Sequence, residues 1–282
     1  MAQNPLHHTG ALRLGLVLIV GLQVPHVGHS ADRAGNVAAE SGDYLTPHFR
    51  AGQTFSNVFS ILNSRKTEGY DERAGRNGGS ADYIVVSASP TVWRFNAVGR
   101  YDGRPVGHHY EFEMRDAGST SCLVSPGDKD KCEPYLDASG LTYNSALWGA
   151  PAKRLSAGMS WKVEIQSAWE LGGKSGTEKV TVVRIDRLTN SATLMREGTA
   201  EGFFDGESNT VELSHNGQTE SFDVTPGTSH WKGYTTFVKG VVFSDELLVT
   251  RSDVLHGKDR KTLNSDTRRI MLLNASPFPT LS

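Results

Sequence analysis

The chain contains two cysteines, Cys122 and Cys132, and their spacing limits the chemistry that they can do. They are not the C-x-x-C pair of a thioredoxin-like redox site, and no second cysteine pair is present to complete a zinc site. Residues 125–128 between them read Ser-Pro-Gly-Asp, a strong turn signal, because proline fixes φ and glycine accepts positive φ. A turn there would bring the two sulfur atoms together, which predicts a structural disulfide.

A calcium loop is the alternative for the same segment, with Asp128, Asp130 and Glu133 as oxygen ligands. The segment lacks the ligand spacing and the glycine of an EF-hand loop. We therefore predict no metal site between the cysteines.

Histidines and carboxylates offer little for catalysis. Six of the ten histidines follow residue 31, and no two of these have the i, i+4 spacing of a helical zinc-protease motif. His108 and His109 are neighbours on a predicted strand, so their rings point to opposite faces. Glu111 and Glu113 share the polar face of that strand about 7 Å apart, a separation at which two carboxylates can hydrolyse a glycoside, but charged residues are ordinary on such a face. With no G-x-S-x-G elbow or P-loop either, we predict no catalytic residue, cofactor or metal.

Aromatic residues are the better candidates for a binding site. The chain has five tryptophans, and in a curved sheet these could line an apolar cavity for a lipid or another apolar ligand. We predict that Trp93 and Trp161 are walls of this pocket, with Phe95 and Trp169 behind them. The alternative is that these side chains fill the hydrophobic core.

Residues 251–269 are rich in basic side chains, since arginines, lysines and a histidine outnumber the aspartates along the segment. A basic hairpin tip formed by this segment could touch anionic lipid head groups. The alternative is an ordinary solvated loop.

A hydrophobic period of two begins at residue 81 and predicts the strands that would position these residues. Apolar and polar side chains alternate without a break over residues 109–115, and residues 93–97 and 161–166 repeat the pattern. Such strands have one apolar and one polar face, which is typical of antiparallel sheets.

Turn signals separate the predicted strands. Asp102-Gly103 and Asn216-Gly217 are two-residue hairpin signals, because these residues tolerate the left-handed angles of a type I′ turn. The second of these turns would place Val211 opposite Phe222, and residues 188–192 are a weaker reversal. The predicted fold is mainly β, a curved antiparallel sheet that forms a half-barrel, a barrel or a two-sheet sandwich.

Residues 54–62 interrupt this pattern and predict one short N-terminal helix. Phe55, Val58, Phe59 and Leu62 fall at helical spacing, and Thr54 could cap the helix. The charged, glycine-rich residues 64–80 that follow predict a mobile loop.

The N-terminus has the anatomy of a signal peptide. Arg13 precedes an apolar run over residues 14–24, and small residues after Pro25 predict cleavage near Ser30 or Ala31. The run is shorter than the roughly 20 apolar residues of a membrane span. We expect the mature chain in a periplasm or outside the cell, where disulfides persist, and we predict no transmembrane segment.

The predicted organisation is a signal peptide at 1–31, an arm with a helix and a loop at 32–80, and an antiparallel β domain at 81–282. Charged residues make up 21% of the chain and its net charge is −2, with no basic stripe along its length. This composition argues against a nucleic-acid partner.

Residues 155–198 resemble exported bacterial envelope proteins of unknown function. The stretch has a Gly-x-x-Trp strand opening at Gly158 and Trp161, a Val-Thr-Val strand at 180–182 and a turn into a further strand. The resemblance implies a curved antiparallel sheet similar to that of periplasmic lipoprotein carriers. This chain departs from that group in its predicted disulfide loop, and the resemblance implies no site residue.

These features together predict a non-catalytic envelope protein that binds an apolar ligand, a lipid or a lipoprotein partner. One alternative is a hydrolase of an envelope polymer that joins a histidine and a carboxylate from separate strands. The other is a structural or assembly factor that pairs with another protein through a sheet edge.

Titration of free thiols in unfolded, unreduced protein tests the predicted disulfide. We expect no reactive thiol before reduction and both cysteines to react after it. Reduction should lower the free energy of unfolding by about 2.5–3 kcal/mol, because it reopens a loop of this length in the unfolded chain. A variant with serine at both positions should not respond to the reductant. Two reactive thiols in the unreduced wild type would contradict the prediction.

Overall fold

The structure is a computed structural model that describes residues 44–102, 107–115, 120–125, 128–134, 141–143, 148–149, 151, 154–165, 175–204, 206–258 and 261–276. For residues 108, 110, 120–125, 128–134 and 276 it describes the backbone alone. The predicted signal peptide, Gly103 of the predicted Asp102-Gly103 turn and Trp169 lie outside the described residues. All the described residues belong to one unit, Glu40–Ser282.

Every named element in the described residues is a β-strand, as the alternation of apolar and polar side chains predicts. The fourteen strands are β1 (Thr54–Thr67), β2 (Arg73–Ala88), β3 (Val92–Tyr101), β4 (His108–Arg115), β5 (Thr120–Ser125), β6 (Asp128–Pro134), β7 (Ser160–Ile165), β8 (Ser175–Asp186), β9 (Ser191–Glu201), β10 (Thr210–His215), β11 (Gln218–Thr225), β12 (Thr228–Val238), β13 (Val241–His256) and β14 (Thr262–Ser276).

These strands form one antiparallel sheet. Its continuous path is β6-β5-β4-β3-β2-β1-β14-β13-β12-β9-β8-β7. The first strand joins the last in the middle of this path, since Phe59 of β1 pairs with Gly79 of β2 on one side and with Leu273 of β14 on the other. Among the described strands none joins β6 to β7, so the sheet is open. The mainly β, antiparallel fold class is confirmed.

The remaining two strands extend the sheet lengthwise. Strand β13 pairs with β12 through residues 241–250 and with β11 through residues 254–256. Strands β11 and β12 therefore follow one another along β13, and β10 pairs with β11 as β9 pairs with β12. The connection from β9 to β10 has no strand structure over its described residues. We call its described residues, 202–204 and 206–209, the strap.

One face of the sheet, which we call the inner face, carries the buried side chains. In β3 these are Trp93, Phe95 and Ala97, and in β12 they include Trp231 and Phe237. The opposite, outer face has large apolar side chains that remain exposed, namely Val58, Leu62, Ile84, Val86, Tyr234 and Leu248.

Segments without strand structure cover much of the inner face. Phe49 packs against Phe55 and Phe95, with ring centroids 5.8 and 5.0 Å apart. Tyr44 and Leu45 join a second apolar cluster with residues of β8, β9 and β12. At Gly240, where φ is +75°, an added Cβ would lie 2.2 Å from the carbonyl carbon of Thr46. The N-terminal segment is thus packed tightly against the turn between β12 and β13.

A second covering segment, Leu141 to Tyr143, connects the two halves of the sheet. Thr142 forms a β-bridge with Val241, and its hydroxyl donates to the sulfur of Met114 at 3.4 Å. Leu141 packs in the apolar cluster of β2, β3 and β4, whereas Tyr143 packs in the cluster of β8 and β9.

Two of the predicted reversals are confirmed. Asn216 and Gly217 have φ of 50° and 78°, as a type I′ turn requires, and Val211 pairs with Phe222 in the register set by this turn. The chain also reverses between β8 and β9, where Asn190 has a φ of 49°.

The predicted N-terminal helix is wrong. Residues 54–62 are the first part of β1, which is paired on both sides along its length. Phe55 is buried on the inner face and Val58 is exposed on the outer face. The apparent helical spacing arises because this strand has apolar side chains on both faces, and pairing on both sides satisfies its backbone hydrogen bonds.

The predicted mobile loop at 64–80 is also wrong. Strand β1 continues to Thr67 and β2 begins at Arg73, so that only residues 68–72 connect them. Charge and glycine suggested a loop, but an exposed antiparallel pair tolerates both because its backbone groups bond across the pair.

Replacing Phe95 tests its place in the core. Phe95→Ala should lower the free energy of unfolding by about 3–5 kcal/mol, since the ring is fully buried and the surroundings cannot fill its volume. Val86→Ala on the neighbouring β2, where the side chain is exposed, is the control and should change it by about 0.5 kcal/mol or less. Urea unfolding measures both. A loss below about 1 kcal/mol for Phe95→Ala would mean that the ring lines an open pocket.

Candidate functional site

The predicted pocket walls lie in separate parts of the inner face. Trp93 and Phe95 belong to the apolar cluster of β2, β3 and β4, where Phe49 contacts both rings. Trp161 of β7 is partly buried against the cluster of β8 and β9, and its Nε1 donates to the carbonyl of Trp148 at 2.8 Å. The structure brings Trp93 and Phe95 together and does not place Trp161 in their cluster. A ligand-binding role for these residues and for Trp169 stays a prediction.

A more open apolar surface lies between the clusters, where β1 meets β14. Phe59 pairs with Leu273 and Ile61 pairs with Met271, and all four side chains are partly exposed on the inner face. We call these four residues the apolar strip.

The neighbouring strand β2 places no large apolar side chain beside the strip. On the β2 side, Phe59 pairs with Gly79 and Ile61 pairs with the exposed Asn77. At Gly75, the next position on the same face of β2, an added Cβ would meet nothing within 4 Å. On β2 the strip is therefore bordered by small or polar residues, while the ring of Tyr101 on β3 packs in a T-shaped contact with Phe59, with ring centroids 6.0 Å apart.

A buried ion pair lies on the inner face of β8 and β9. Arg196 donates from Nε and Nη2 to the two carboxylate oxygens of Glu178, at 2.9 and 3.2 Å. Trp231 donates from Nε1 to the same carboxylate at 2.8 Å, and the Trp148 ring lies 4.7 Å from the guanidinium. Both charged side chains are almost completely buried. This bidentate geometry satisfies each charge within the sheet.

Asp245 adds a second carboxylate near this pair. Its Oδ2 lies 3.9 Å from Nη1 of Arg196, and its Oδ1 accepts a hydrogen bond from the Thr235 hydroxyl at 2.6 Å. Burial raises the pKa of Asp245 even though Arg196 and Thr235 act in the opposite direction. Burial disfavours the charged form of Arg196 as well, but Glu178 and Asp245 outweigh it and raise the Arg196 pKa.

A second charged network lies on β1 and β13 beneath the strap. Arg251 donates from Nε and Nη2 to Asp253 at 2.5 and 3.0 Å, and neither side chain is exposed. From Nη1 and Nη2 it also donates to the strap residue Glu207, at 2.8 and 2.7 Å. Arg65 of β1 completes the network, with Nη1 3.0 Å from Asp253 and Nη2 3.4 Å from Glu207.

The two arginines and the two carboxylates of this network have balanced formal charges, and the group is largely buried. Burial would lower the pKa of Arg251, but hydrogen bonds to Glu207 and Asp253 outweigh it, and the pKa is raised. Asp253 also accepts from the Thr267 hydroxyl at 3.1 Å and from the backbone N–H of Gly227 at 3.2 Å.

The strap is anchored by stacking as well as by charge. The ring of Phe204 lies between two guanidinium groups, 4.3 Å from that of Arg251 and 4.1 Å from that of Arg269. Phe204 also packs in an apolar cluster with Trp231, Leu247 and Val249. Arg269 donates to the amide oxygen of Asn63 at 2.7 Å.

The basic segment predicted at 251–269 does not form a basic hairpin tip as a whole. Arg251 is buried in β13, and Arg269 lies within β14. At the tip itself, Lys261 forms an ion pair with Glu220 at 3.1 Å. The hairpin-tip alternative does not hold for Arg251 and Arg269, because a count of charges along a segment ignores which face of a strand each side chain occupies.

The candidate carboxylate pair occupies the outer face. Glu111 lines a shallow groove of about 640 Å³ that also contains Asp82, Asn96 and His109. Glu113 is buried and accepts hydrogen bonds from Arg94 at 2.8 Å and Arg115 at 2.5 Å. Burial would raise the pKa of Glu113, but these two arginines outweigh it and lower the pKa. Glu113 is therefore a paired anion and is unsuited to act as a general acid.

The described histidine rings with hydrogen bonds have neutral partners: His215 bonds Asn216 and His256 bonds Thr225. In the described part of the chain, no group of three or more histidine, cysteine or acidic side chains is arranged to hold a metal ion. The same part contains no helix with the length and hydropathy needed to cross a membrane.

The side chains of Cys122 and Cys132 lie outside the described residues. The backbone places them on β5 and β6, which pair as antiparallel neighbours. The chain therefore reverses between them, and the disulfide stays a prediction.

Both charged networks were missed in the sequence, although a signal for them exists. Glu178 lies on the same face of β8 as the buried Val180 and Val182, and Arg196 lies on the same face of β9 as Leu194. On β13, Arg251 and Asp253 share the phase of Val249 and Leu255. A charged residue at an apolar position of a period-two pattern indicates a buried charge, which requires a partner.

No protein-family model matches the sequence, and a comparison with curated proteins found no match. Among solved structures, a lipovitellin structure concerned with lipid-protein interactions is 8% identical, with a TM-score of 0.40, over 83% of this chain and 26% of that one. This chain thus spans about a quarter of the lipovitellin chain. The attachment invasion locus protein Ail of Yersinia pestis is 9% identical, with a TM-score of 0.20, over 80% of this chain and 99% of that one.

A mutant porin of Rh. blastica is similarly distant, at 8% identity and a TM-score of 0.23 over 77% of this chain and 99% of that one. Likenesses at this level carry no argument about the site. The resemblance of residues 155–198 to exported envelope proteins stays a prediction.

Breaking the buried Glu178–Arg196 pair should be strongly destabilising. Arg196→Met leaves the Glu178 carboxylate buried with Trp231 as its remaining close donor, and we expect the free energy of unfolding to fall by about 3–5 kcal/mol. The double variant Arg196→Met/Glu178→Met removes both charges and should recover part of this loss. Urea unfolding of the wild type, both single variants and the double variant gives the coupling energy. A double variant less stable than Arg196→Met would contradict this account.

Proposed function

We propose that this protein is an exported, non-catalytic β protein that binds the apolar part of a lipid or of a lipid-bearing partner on its inner face. The observation that supports this function is the apolar strip of Phe59, Ile61, Met271 and Leu273. These side chains are partly exposed on the face of the sheet that carries the buried apolar clusters.

The surroundings of the strip favour a ligand surface over an incompletely packed core. Met271 packs against the cluster that contains Trp231 and Leu247, and Leu273 packs against the cluster of β8 and β9. The exposed parts of Met271 and Leu273 therefore lie over well-packed residues. On the other side, Gly75 and the exposed Asn77 provide no apolar cover. An alkyl chain placed here would gain about 0.8 kcal/mol for each methylene group removed from water.

Export supports the choice of ligand class. The predicted signal peptide would deliver the chain to a compartment bounded by membranes, where lipids and lipid-modified proteins are abundant partners. A hydrolytic function finds less support, because Glu113, one of the two candidate carboxylates, is held by two arginines.

Calorimetric titration with lauroyl glycerol, an uncharged single-chain lipid, tests the proposed function. We expect saturable binding to the wild-type protein below the concentration at which the lipid aggregates. Ile61→Gln should weaken binding roughly tenfold, because loss of one buried aliphatic side chain costs about 1.5 kcal/mol.

Leu248→Gln is the matched control, since Leu248 is an exposed aliphatic residue on the outer face of the same sheet. It should bind as the wild type does. Equal weakening by both variants would locate binding on the outer face or on no specific face. No saturable binding to the wild type would contradict the proposed function.

A further inference from the structure

We propose that Arg65 and Arg251 form an anion-binding site whose present occupant is the chain's own Glu207. In this view the strap carboxylate stands in for an external oxyanion, the phosphate or carboxylate head group of an amphiphile. The inference rests on the proposed function, because it places the head group of the ligand whose alkyl chain lies on the apolar strip.

Glu207 is held in the way that a bound oxyanion is held. Both of its carboxylate oxygens accept from Arg251, at 2.8 and 2.7 Å, and one of them lies 3.4 Å from Nη2 of Arg65. The other accepts the backbone N–H of Phe204 at 3.0 Å. Two-pronged binding by a guanidinium together with a backbone donor is a common arrangement around phosphate and carboxylate ligands.

The charge balance requires an anion at this place. Arg65, Arg251, Asp253 and Glu207 have a formal sum of zero, and Asp253 and Arg251 are fully buried. If Glu207 moved away, one positive charge would remain without a counterion in a buried position, which is strongly unfavourable. Any state in which Glu207 leaves its site therefore needs another anion to replace it.

Glu207 is positioned so that it can be replaced. It retains 17% exposure of its side chain, whereas the other acid of the network, Asp253, has none. Asp253 is fixed on β13 by the Thr267 hydroxyl and the Gly227 N–H, but Glu207 lies on the strap between strands. Gly206, directly before it, has a φ of 69° and open space around the position of a Cβ. Exchange at Glu207 leaves the sheet pairing unchanged.

A buried hydroxyl beside the network has no partner among the described residues. Ser229 of β12 is fully buried on the inner face, and its Oγ makes no hydrogen bond there. Its neighbour His230 pairs with Thr250, which places Ser229 across from Arg251 in the same register. A bound phosphate has more oxygen atoms than a carboxylate and could accept from this hydroxyl.

The strip and the arginines lie on one line along the inner face of β1. Phe59, Ile61, Asn63 and Arg65 are alternate residues of this strand, so Phe59 and Arg65 are about 20 Å apart. Apolar side chains occupy one end of this line and the guanidinium of Arg65 the other. An amphiphile with a single alkyl chain matches both the polarity and the length.

Calorimetric titration with dodecyl phosphate, inorganic phosphate and lauroyl glycerol tests the inference. Glu207→Ala removes the internal anion, and we expect it to bind dodecyl phosphate about tenfold more tightly than the wild type. Its affinity for lauroyl glycerol should not change. Glu197→Ala is the matched control, because it removes one carboxylate of a half-exposed pair with Lys232 on the outer face. It should leave both affinities at their wild-type values.

A second variant keeps the test valid if Glu207→Ala does not fold. Arg65→Gln retains Arg251 and both acids, and it should weaken the binding of dodecyl phosphate without affecting lauroyl glycerol. Failure of both variants to change the affinity for dodecyl phosphate would overturn the anion site while the binding of lauroyl glycerol still supported the proposed function. Inorganic phosphate that bound as tightly as dodecyl phosphate would overturn the assignment to an amphiphile head group.

Discussion

The structure depends on how a single sheet covers its own apolar face. In the described residues all fourteen strands belong to one sheet, so the inner face is not packed against a second sheet or against helices. An apolar sheet face in water is strongly unfavourable, and most folds cover it with another layer. Here the N-terminal segment around Phe49, the bridge at Thr142 and the strap cover it locally. Each cover is short, which leaves the apolar strip partly exposed between them.

The same constraint explains the buried charges. Segments without strand pairing must satisfy their own polar groups when they lie on an apolar face. The strap does so by using Glu207 to bind both Arg251 and the backbone of Phe204. Ion pairs of this kind add little net stability, because desolvation offsets their attraction, yet they are costly to leave half-broken. A strap held in this way stays in place when no other anion is present, and it offers a defined site to one that is.

Alternation along the sequence was sufficient to predict the fold class and the inner face of β3, and the Asn216-Gly217 turn was sufficient to predict the register of the β10–β11 hairpin. Alternation could not distinguish a strand with apolar residues on both faces from a helix, which is why residues 54–62 were misassigned. The period of two in hydrophobicity shows which face of the sheet a residue occupies, but it does not show which strands are neighbours. Trp93 and Trp161 both point to the inner face, but their strands, β3 and β7, are far apart in the strand order. The network around Arg251 also needs a partner from a strand distant in sequence, because Arg65 meets Asp253 only through the order of the strands in the sheet.

The position of the networks also bears on which ligands the inner face would favour. A purely apolar molecule could cover the strip but would leave the Arg251 network as it is, with Glu207 in place. An amphiphile could replace the Glu207 carboxylate with its own head group, so the favourable contacts of the arginines would be exchanged and not lost. Its alkyl chain would then add burial on Ile61 and Met271 that Glu207 does not provide. The free energy gained by burying the alkyl chain of the ligand therefore decides whether the exchange occurs. Selectivity for an amphiphile follows from the distance between the strip and Arg65.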